Sequence, residues 1–278
     1  MNLRWLANVF LVSFQPSLVI SNAAQTACLA LPADRIPMWF RGRCIVFSPP
    51  IGFNFATAED ACTQLPNGHL AILNSFALRQ YISQTWRALG PWGSGNIWGW
   101  SSISRKTPTT AQYPTVEGAE DEWYHKFRGQ LYGPLPTRAQ GGTTHWLNQG
   151  TPDPKGPIGS TCALYVDITP AAGEQDGHSN NYACSYLGWA ICEYRSTYVT
   201  GLIELASLRD QRAVDVAVIE THGNTTLTGC ATACINNWVC ASFGFHKARG
   251  DCRLAMIDET DNSMLYQSAV GFKFFVFN

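Results

Sequence analysis

Cysteine placement constrains this chain more than any other feature. Ten cysteines occur in 278 residues: Cys28, Cys44, Cys62, Cys162, Cys184 and Cys192 are spread over the first two thirds, and Cys230, Cys234, Cys240 and Cys252 crowd the last third. In an oxidising compartment such a pattern reads as a disulfide framework for two modules. The N-terminus bears on the compartment. Arg4 precedes an apolar run from Leu6 to Phe14, Pro16 breaks the run, and Ser21-Asn22-Ala23-Ala24 offers the small residues that a signal peptidase accepts. The run is too short to span a bilayer, so residues 1–24 are expected to be a cleaved signal peptide and the rest a secreted, extracellular chain. The apolar C-terminal stretch Ala269 to Phe277 is also too short and contains Gly271 and Lys273, so no transmembrane anchor is expected.

Charge narrows the partner class. Lys and Arg number 19 against 20 Asp and Glu, a net charge of -1, and the basic residues are scattered. That is no electrostatic footprint for nucleic acid or anionic lipid. The length exceeds one typical domain, in keeping with two units.

Local signals organise the first unit. Thr57-Ala58-Glu59-Asp60 resembles a helix-capping box, and Ala58, Ala61, Cys62 and Leu65 then share one helical face up to Pro66-Asn67-Gly68. His69 to Leu73 is an apolar run of strand type. Ser75 can cap a second helix with Leu78, Ile82, Trp86 and Leu89 on its buried face, stopped by Gly90-Pro91. Ile97-Trp98-Gly99-Trp100 reads as an aromatic strand. From Ser101 to Thr144 the chain is rich in Pro, Gly and Thr and is expected to be irregular.

The next stretch carries a recognisable pattern: His145-Trp146-Leu147-Asn148-Gln149-Gly150-Thr151-Pro152-Asp153, then Cys162, then Asn180-Asn181-Tyr182-Ala183-Cys184, then Trp189-Ala190-Ile191-Cys192-Glu193. It is similar to the C-type lectin-like domain, in which a Trp and a Pro-Asp or Pro-Asn turn precede two cysteines and the domain closes on Ile-Cys-Glu. Ile97-Trp98-Gly99-Trp100 stands where that family has its Trp-Ile-Gly-Leu strand. The resemblance implies an α+β fold over residues 28–195, with two helices, antiparallel sheets and a long binding loop. It also implies the disulfides Cys28 with Cys44, Cys62 with Cys192, and Cys162 with Cys184.

Many members of that family hold calcium in the long loop and bind sugar hydroxyls through it, which makes calcium the one cofactor the resemblance implies. The positions matching the family's ligands are Thr151, Asp153, Ser160, Asn180 and Asn181, which are the candidate ligand-binding residues. Of these, Asp153, Asn180 and Asn181 are the candidate metal ligands. Asp153 follows Pro152 as in galactose-preferring members. Thr151 replaces the acid or amide before the proline, and Ser160 replaces the acid before Cys162. The Trp-Asn-Asp signature has become Ser179-Asn180-Asn181, which keeps the Asn and loses the acid. Calcium affinity follows the number of carboxylates offered, and one carboxylate makes a weak cage unless Glu174 or Asp176 joins from the neighbouring loop.

Residues 196–278 form the second expected unit, without a Gly/Ser linker before it. Val214, Val216 and Val218 alternate in strand fashion, Thr228 can cap a helix carrying Cys230 and Cys234 one turn apart, and Ala241, Phe243 and Phe245 alternate ahead of a partner strand at Cys252, Leu254 and Met256. Cys230-x3-Cys234-x5-Cys240-Ala241-Ser242-Phe243 with Cys252-Arg253-Leu254 resembles the PAN/apple module, a helix on an antiparallel sheet. The resemblance implies Cys230 paired with Cys252 and Cys234 with Cys240. A four-cysteine zinc site is the competing reading, disfavoured in an oxidising compartment.

Two short motifs remain. Asn224-Thr225-Thr226 is an acceptor sequon for N-glycosylation at Asn224, and Arg249-Gly250-Asp251 is the tripeptide that integrins read, although Gly and Asp also simply make turns. No Gly-x-Ser-x-Gly elbow or His-Glu-x-x-His helix occurs, and every cysteine has an expected partner, so catalysis is not expected. The expected function is recognition of a carbohydrate, galactose-type by the Asp153 position, or of a glycoprotein, with the second module adding a protein or glycan contact. The alternative is a structural or adhesive protein of the extracellular matrix that binds protein partners without calcium-dependent sugar recognition.

Overall fold

The computed structural model describes residues 25–31, 35–88, 97–106, 123–137, 140, 148–149, 151–152, 161–167, 178–195, 201–258 and 263–277. The expected signal peptide, and the boundary at residues 195–196 in part, lie outside them. The architecture is α+β with five disulfides.

The first sheet is nine-stranded. It begins with β1 (Ile36–Phe40) and β2 (Arg43–Phe53), joined through Arg41 and Gly42, whose φ angles of 46° and 79° define a turn that matches strand twist. The short β3 (His69–Leu70) pairs with the late strand β11 (Gly188–Arg195), which also lies antiparallel to β2. On its other side β11 runs parallel to β4 (Ile97–Arg105). Beyond β4 lie β5 (Trp123–Phe127) and β6 (Gln130–Tyr132), a hairpin turned at Arg128 and Gly129 with φ of 47° and 79°. Part of the stretch expected to be irregular is therefore ordered strand. The period-two signal in Trp123-Tyr124-His125-Lys126-Phe127 is masked in the sequence because one inward position is a histidine.

The two helices sit where the sequence places them, with one cap displaced. Helix Phe55–Thr63 is capped by Asn54, whose Oδ1 accepts from the Thr57 backbone N–H at 2.9 Å, so Thr57 lies inside the first turn instead of capping it. Cys62 is buried and bonded to Cys192 of β11, fixing helix to sheet. Helix Phe76–Ala88 is capped by Ser75, which accepts from Leu78 N–H at 3.1 Å, and it buries Leu78, Ile82 and Trp86. The apolar run from His69 to Leu73 is buried throughout, but only His69 and Leu70 are in a strand.

Residues 202–277 build a second, five-stranded antiparallel sheet. Its members are β12 (Leu202–Glu204), β14 (Val218–His222), β15 (Ser242–His246), β16 (Asp251–Ala255) and β18 (Phe272–Phe277), in the order β12-β18-β15-β16-β14; β13 (Gln211–Ala213) pairs apart with β17 (Tyr266–Ser268). Helix Leu227–Asn236 lies against it through Cys230 and Cys234. Its cap is Thr226, accepting from Gly229 N–H at 3.0 Å, not Thr228. The valine alternation is also broken: Asp215–Ala217 is a 3-10 turn, held by the exposed Asp215 carboxylate against Arg253 at 2.7 Å and Arg212 at 3.6 Å, and strand begins only at Val218.

The two sheets share an interior. Ile72, Ile103, Trp123, Phe127 and Leu135 from the first pack in one apolar cluster with Ala213, Val239, Met256, Ile257, Leu265 and Phe274 from the second. At its edge Trp238 stands between His69 and Phe127, ring centroids 4.7 and 5.5 Å away. Arg41 and the buried Asp258 form an ion pair at 3.5 Å across the same junction.

Candidate functional site

Three places in the fold carry chemistry. The first is the long-loop region. β7 (Asn148–Gln149) and β8 (Thr151–Pro152) form a small ladder, and β9 (Cys162–Asp167) pairs with β10 (His178–Tyr182), setting Asn180 opposite Leu164 and Asn181 opposite Ala163. Cys162–Cys184 joins the start of β9 to the turn after β10. Thr151 thus stands on β8, and Asn180 and Asn181 on β10; their side chains, like Asp153, Ser160, Glu174, Asp176, His145 and Trp146, lie outside the described residues. As chemistry, the donor set Thr151, Asp153, Ser160, Asn180 and Asn181 offers one carboxylate, a weak cage for calcium unless Glu174 or Asp176 joins it. Among the described residues, no cluster of three or more His, Cys, Asp or Glu is arranged to hold a metal ion.

The base of this region is well built. Trp98, Tyr182 and Tyr186 form an aromatic cluster, with Trp98 to Tyr182 at 5.6 Å and Tyr182 to Tyr186 at 4.8 Å. Gly188 is required beneath it, since a β-carbon there would lie 2.8 Å from the Trp98 carbonyl oxygen. Trp100 is buried and its indole N–H donates to the Phe53 carbonyl at 2.8 Å.

The second place is a buried polar centre under the junction. Arg43 donates to both carboxylate oxygens of Glu193, at 2.7 and 2.5 Å, to Asn74 Oδ1 at 3.0 Å and to the Ile72 carbonyl. The Ile72 N–H donates to Glu193 at 3.0 Å, and Asn74 Nδ2 passes the network on to the Val239 carbonyl at 2.6 Å. Nearby, His125 Nδ1 lies 2.9 Å from Ser102 Oγ, while its Nε2 has no hydrogen-bond partner among the described residues. Burial, reinforced by the Arg43 and Arg79 charges, lowers the His125 pKa to about 3, so the ring is neutral at physiological pH. A serine beside a histidine this deeply enclosed has no route to substrate. It is a structural pair.

The third place is the β15–β16 hairpin, where Arg249-Gly250-Asp251 falls at the turn. Gly250 has φ +66°, its N–H donates to His246 O at 2.9 Å, and Arg249 and Asp251 pair with each other at 3.0 Å. The turn packs on the sequon: Thr225 N–H donates to the Gly250 carbonyl at 3.0 Å, beside the exposed Asn224.

Sequence reasoning missed the junction itself. Arg128, Trp238 and Glu220 come together only through long-range packing, and no local spacing announces it.

All ten cysteines are bonded: Cys28–Cys44, Cys62–Cys192, Cys162–Cys184, Cys230–Cys252 and Cys234–Cys240. Among the described residues, no helix is long and apolar enough to cross a membrane.

No family model and no curated protein matches the chain. Solved structures similar to part of it include human lithostathine, at 14% identity over 62% of this chain and 94% of that one, with a TM-score of 0.38. The C-type lectin CEL-I from Cucumaria echinata is 15% identical over 59% of this chain and 96% of its own, at 0.37. The C-type lectin domain of murine dendritic cell inhibitory receptor 2, solved in complex with N-glycan, is 14% identical over 60% and 100%, at 0.38. These scores lie below 0.5, and the fold described above rests on the chain's own register and disulfides.

Proposed function

We propose that this chain is a secreted, non-catalytic binding protein that recognises carbohydrate or glycoprotein through the region from Thr151 to Cys184, with residues 196–278 forming a PAN/apple-like module that adds a second contact. The observation that carries the reading is the frame around that region: Cys162–Cys184 ties β9 to the turn after β10, while Cys62–Cys192 ties the sheet beneath to its helix. Such a frame presents a connection on a rigid base, as binding loops require. With every cysteine bonded, no thiolate is left to act as a nucleophile. Asp153 is the residue assigned to sugar contact, and the reading does not rest on calcium because the donor set offers a single carboxylate. A glycan array run with and without EDTA tests this. Binding that survives EDTA and is lost in Asp153→Ala supports it; unchanged affinity in that variant overturns the loop assignment.

A second reading, protein adhesion through Arg249-Gly250-Asp251, is favoured by the exposure of the hairpin tip, with the Arg249 side chain 58% and Asp251 37% accessible. Adhesion of integrin-bearing cells to immobilised protein, compared with Asp251→Asn, decides it: loss of attachment in the variant supports adhesion and equal attachment rejects it.

A further inference from the structure

The junction of the two sheets leaves a cleft of about 460 Å³ that no motif predicted, lined by Arg128, Tyr132, Glu220, His222, Asn236 and Trp238. We propose that this cleft is a binding site for a neutral saccharide, separate from the loop region and independent of calcium. It shares with the reading above only the class of ligand.

The lining favours that class. Half-buried Trp238, stacked on Phe127, and Tyr132, whose hydroxyl donates to Gln130 at 2.8 Å, bring aromatic surface that suits the C–H face of a pyranose ring. Arg128 supplies donors only, Glu220 acceptors only, and Asn236 both, the mixture that vicinal hydroxyls need because each hydroxyl donates once and accepts twice. An anionic ligand would meet the Glu220 carboxylate, and a cationic one the Arg128 guanidinium. A polyhydroxylated neutral ligand satisfies both. The volume falls in the range of small-molecule sites.

These groups are only lightly engaged by the fold. Among the described residues Arg128 makes no ion pair, its guanidinium lying over the Phe127 ring at 5.2 Å, Asn236 makes no side-chain hydrogen bond, and Glu220 meets only His222, at 3.3 Å. The scaffold behind them is nevertheless fixed. Trp238 is held against His69 and Phe127, the next residue's carbonyl accepts from buried Asn74, and Cys234–Cys240 closes the segment from both ends. Arg128 projects from a two-residue turn with φ of 47°. Rigid support behind lightly engaged polar groups is the arrangement of a preorganised site. A smaller hollow of about 190 Å³, bordered by Asn67 and by Glu59 with its Lys126 partner, shares Arg128 with the cleft and would extend the site beyond one ring.

The test uses the full mature chain. A neutral glycan that binds on an array in the presence of EDTA is titrated against the wild type, the double variant Glu220→Gln/Asn236→Ala, Arg128→Asn, which keeps a residue tolerant of positive φ, and Asp153→Ala. Thermal melts establish that each variant is folded. The cleft assignment expects roughly tenfold or weaker binding in the double variant and in Arg128→Asn, with unchanged melting, each removing direct hydrogen bonds. Wild-type affinity in both cleft variants overturns it. Loss in Asp153→Ala alone also overturns it, while leaving the loop reading intact. If no neutral glycan binds in EDTA, the cleft assignment falls with it.

Discussion

The two halves of the molecule solve the same problem by different means. Residues 28–195 are closed by a disulfide between positions 130 apart, Cys62–Cys192, so that the last strand and the first long helix are joined across nearly the whole region. Residues 202–277 are closed locally, by disulfides spanning 22 and 6 positions, with Phe243, Leu254 and Phe275 packed directly behind them. The first half adds to two short links, Cys28–Cys44 and Cys162–Cys184, one long-range link and a buried ion pair. The second relies on short links and a helix laid on a sheet. The first arrangement spans long connections between its strands, whereas the second leaves little chain to spare.

Removing the long link is the most severe way to break this contrast. In the chain-entropy account Cys62→Ala/Cys192→Ala should cost about 5 kcal/mol, against about 2 kcal/mol for Cys234→Ala/Cys240→Ala, read as chemical-denaturation midpoints. Equal losses would mean that the halves do not differ in this respect. Next in size, Glu193→Gln leaves the Arg43 guanidinium buried without its counter-charge and should cost about 3–5 kcal/mol. Calorimetry of that variant sharpens the comparison, because a shared interior requires both sheets to melt in one transition; two separated transitions would show that they are energetically independent. Asn74→Ala strips the Val239 carbonyl of its partner and should cost about 1–3 kcal/mol, again as a single shifted transition.

The last effect is absent at neutral pH and appears only in acid. His125 has a folded pKa of about 3 against an ordinary 6.5. Above 6.5 the ring is neutral in both states and stability is complete. As pH falls from 6.5 towards 3, the unfolded chain takes up a proton that the folded chain refuses, so the fold loses up to about 1.4 kcal/mol per pH unit. His125→Gln should flatten the stability profile in that window. An unchanged slope would place the acid sensitivity elsewhere.

How much of this was legible in the sequence follows from the range of each interaction. Both early helices and the Ser242–His246 strand came from local periodicity, which acts over a few residues, whereas the α+β class came from the resemblance of the cysteine-bearing motifs to a known family. Caps were displaced by two or three positions, because Asn54 and Thr57, or Thr226 and Thr228, offer equivalent acceptors and only tertiary packing chooses between them. β5 was hidden by inward-facing His125, which Ser102 satisfies at Nδ1 only. Arg43 and Glu193 are 150 positions apart, and nothing in either neighbourhood announces the other. The junction cleft was invisible for the same reason. At the loop, motif matching named Thr151, Asp153, Ser160, Asn180 and Asn181 but carried no geometry.

The interior common to both sheets has a consequence for the molecule on a surface. With Ile72, Phe127, Val239 and Met256 in one apolar cluster, the Cys162–Cys184 base of the loop region and the Arg249–Asp251 turn are parts of one packed body. If both proposed contacts exist, a surface offering two attachment points at the matching spacing would be gripped at both ends with a high effective concentration for the second contact, and one with a different spacing at only one. The chain would then act as a gauge of distance between its ligands as well as of their chemistry.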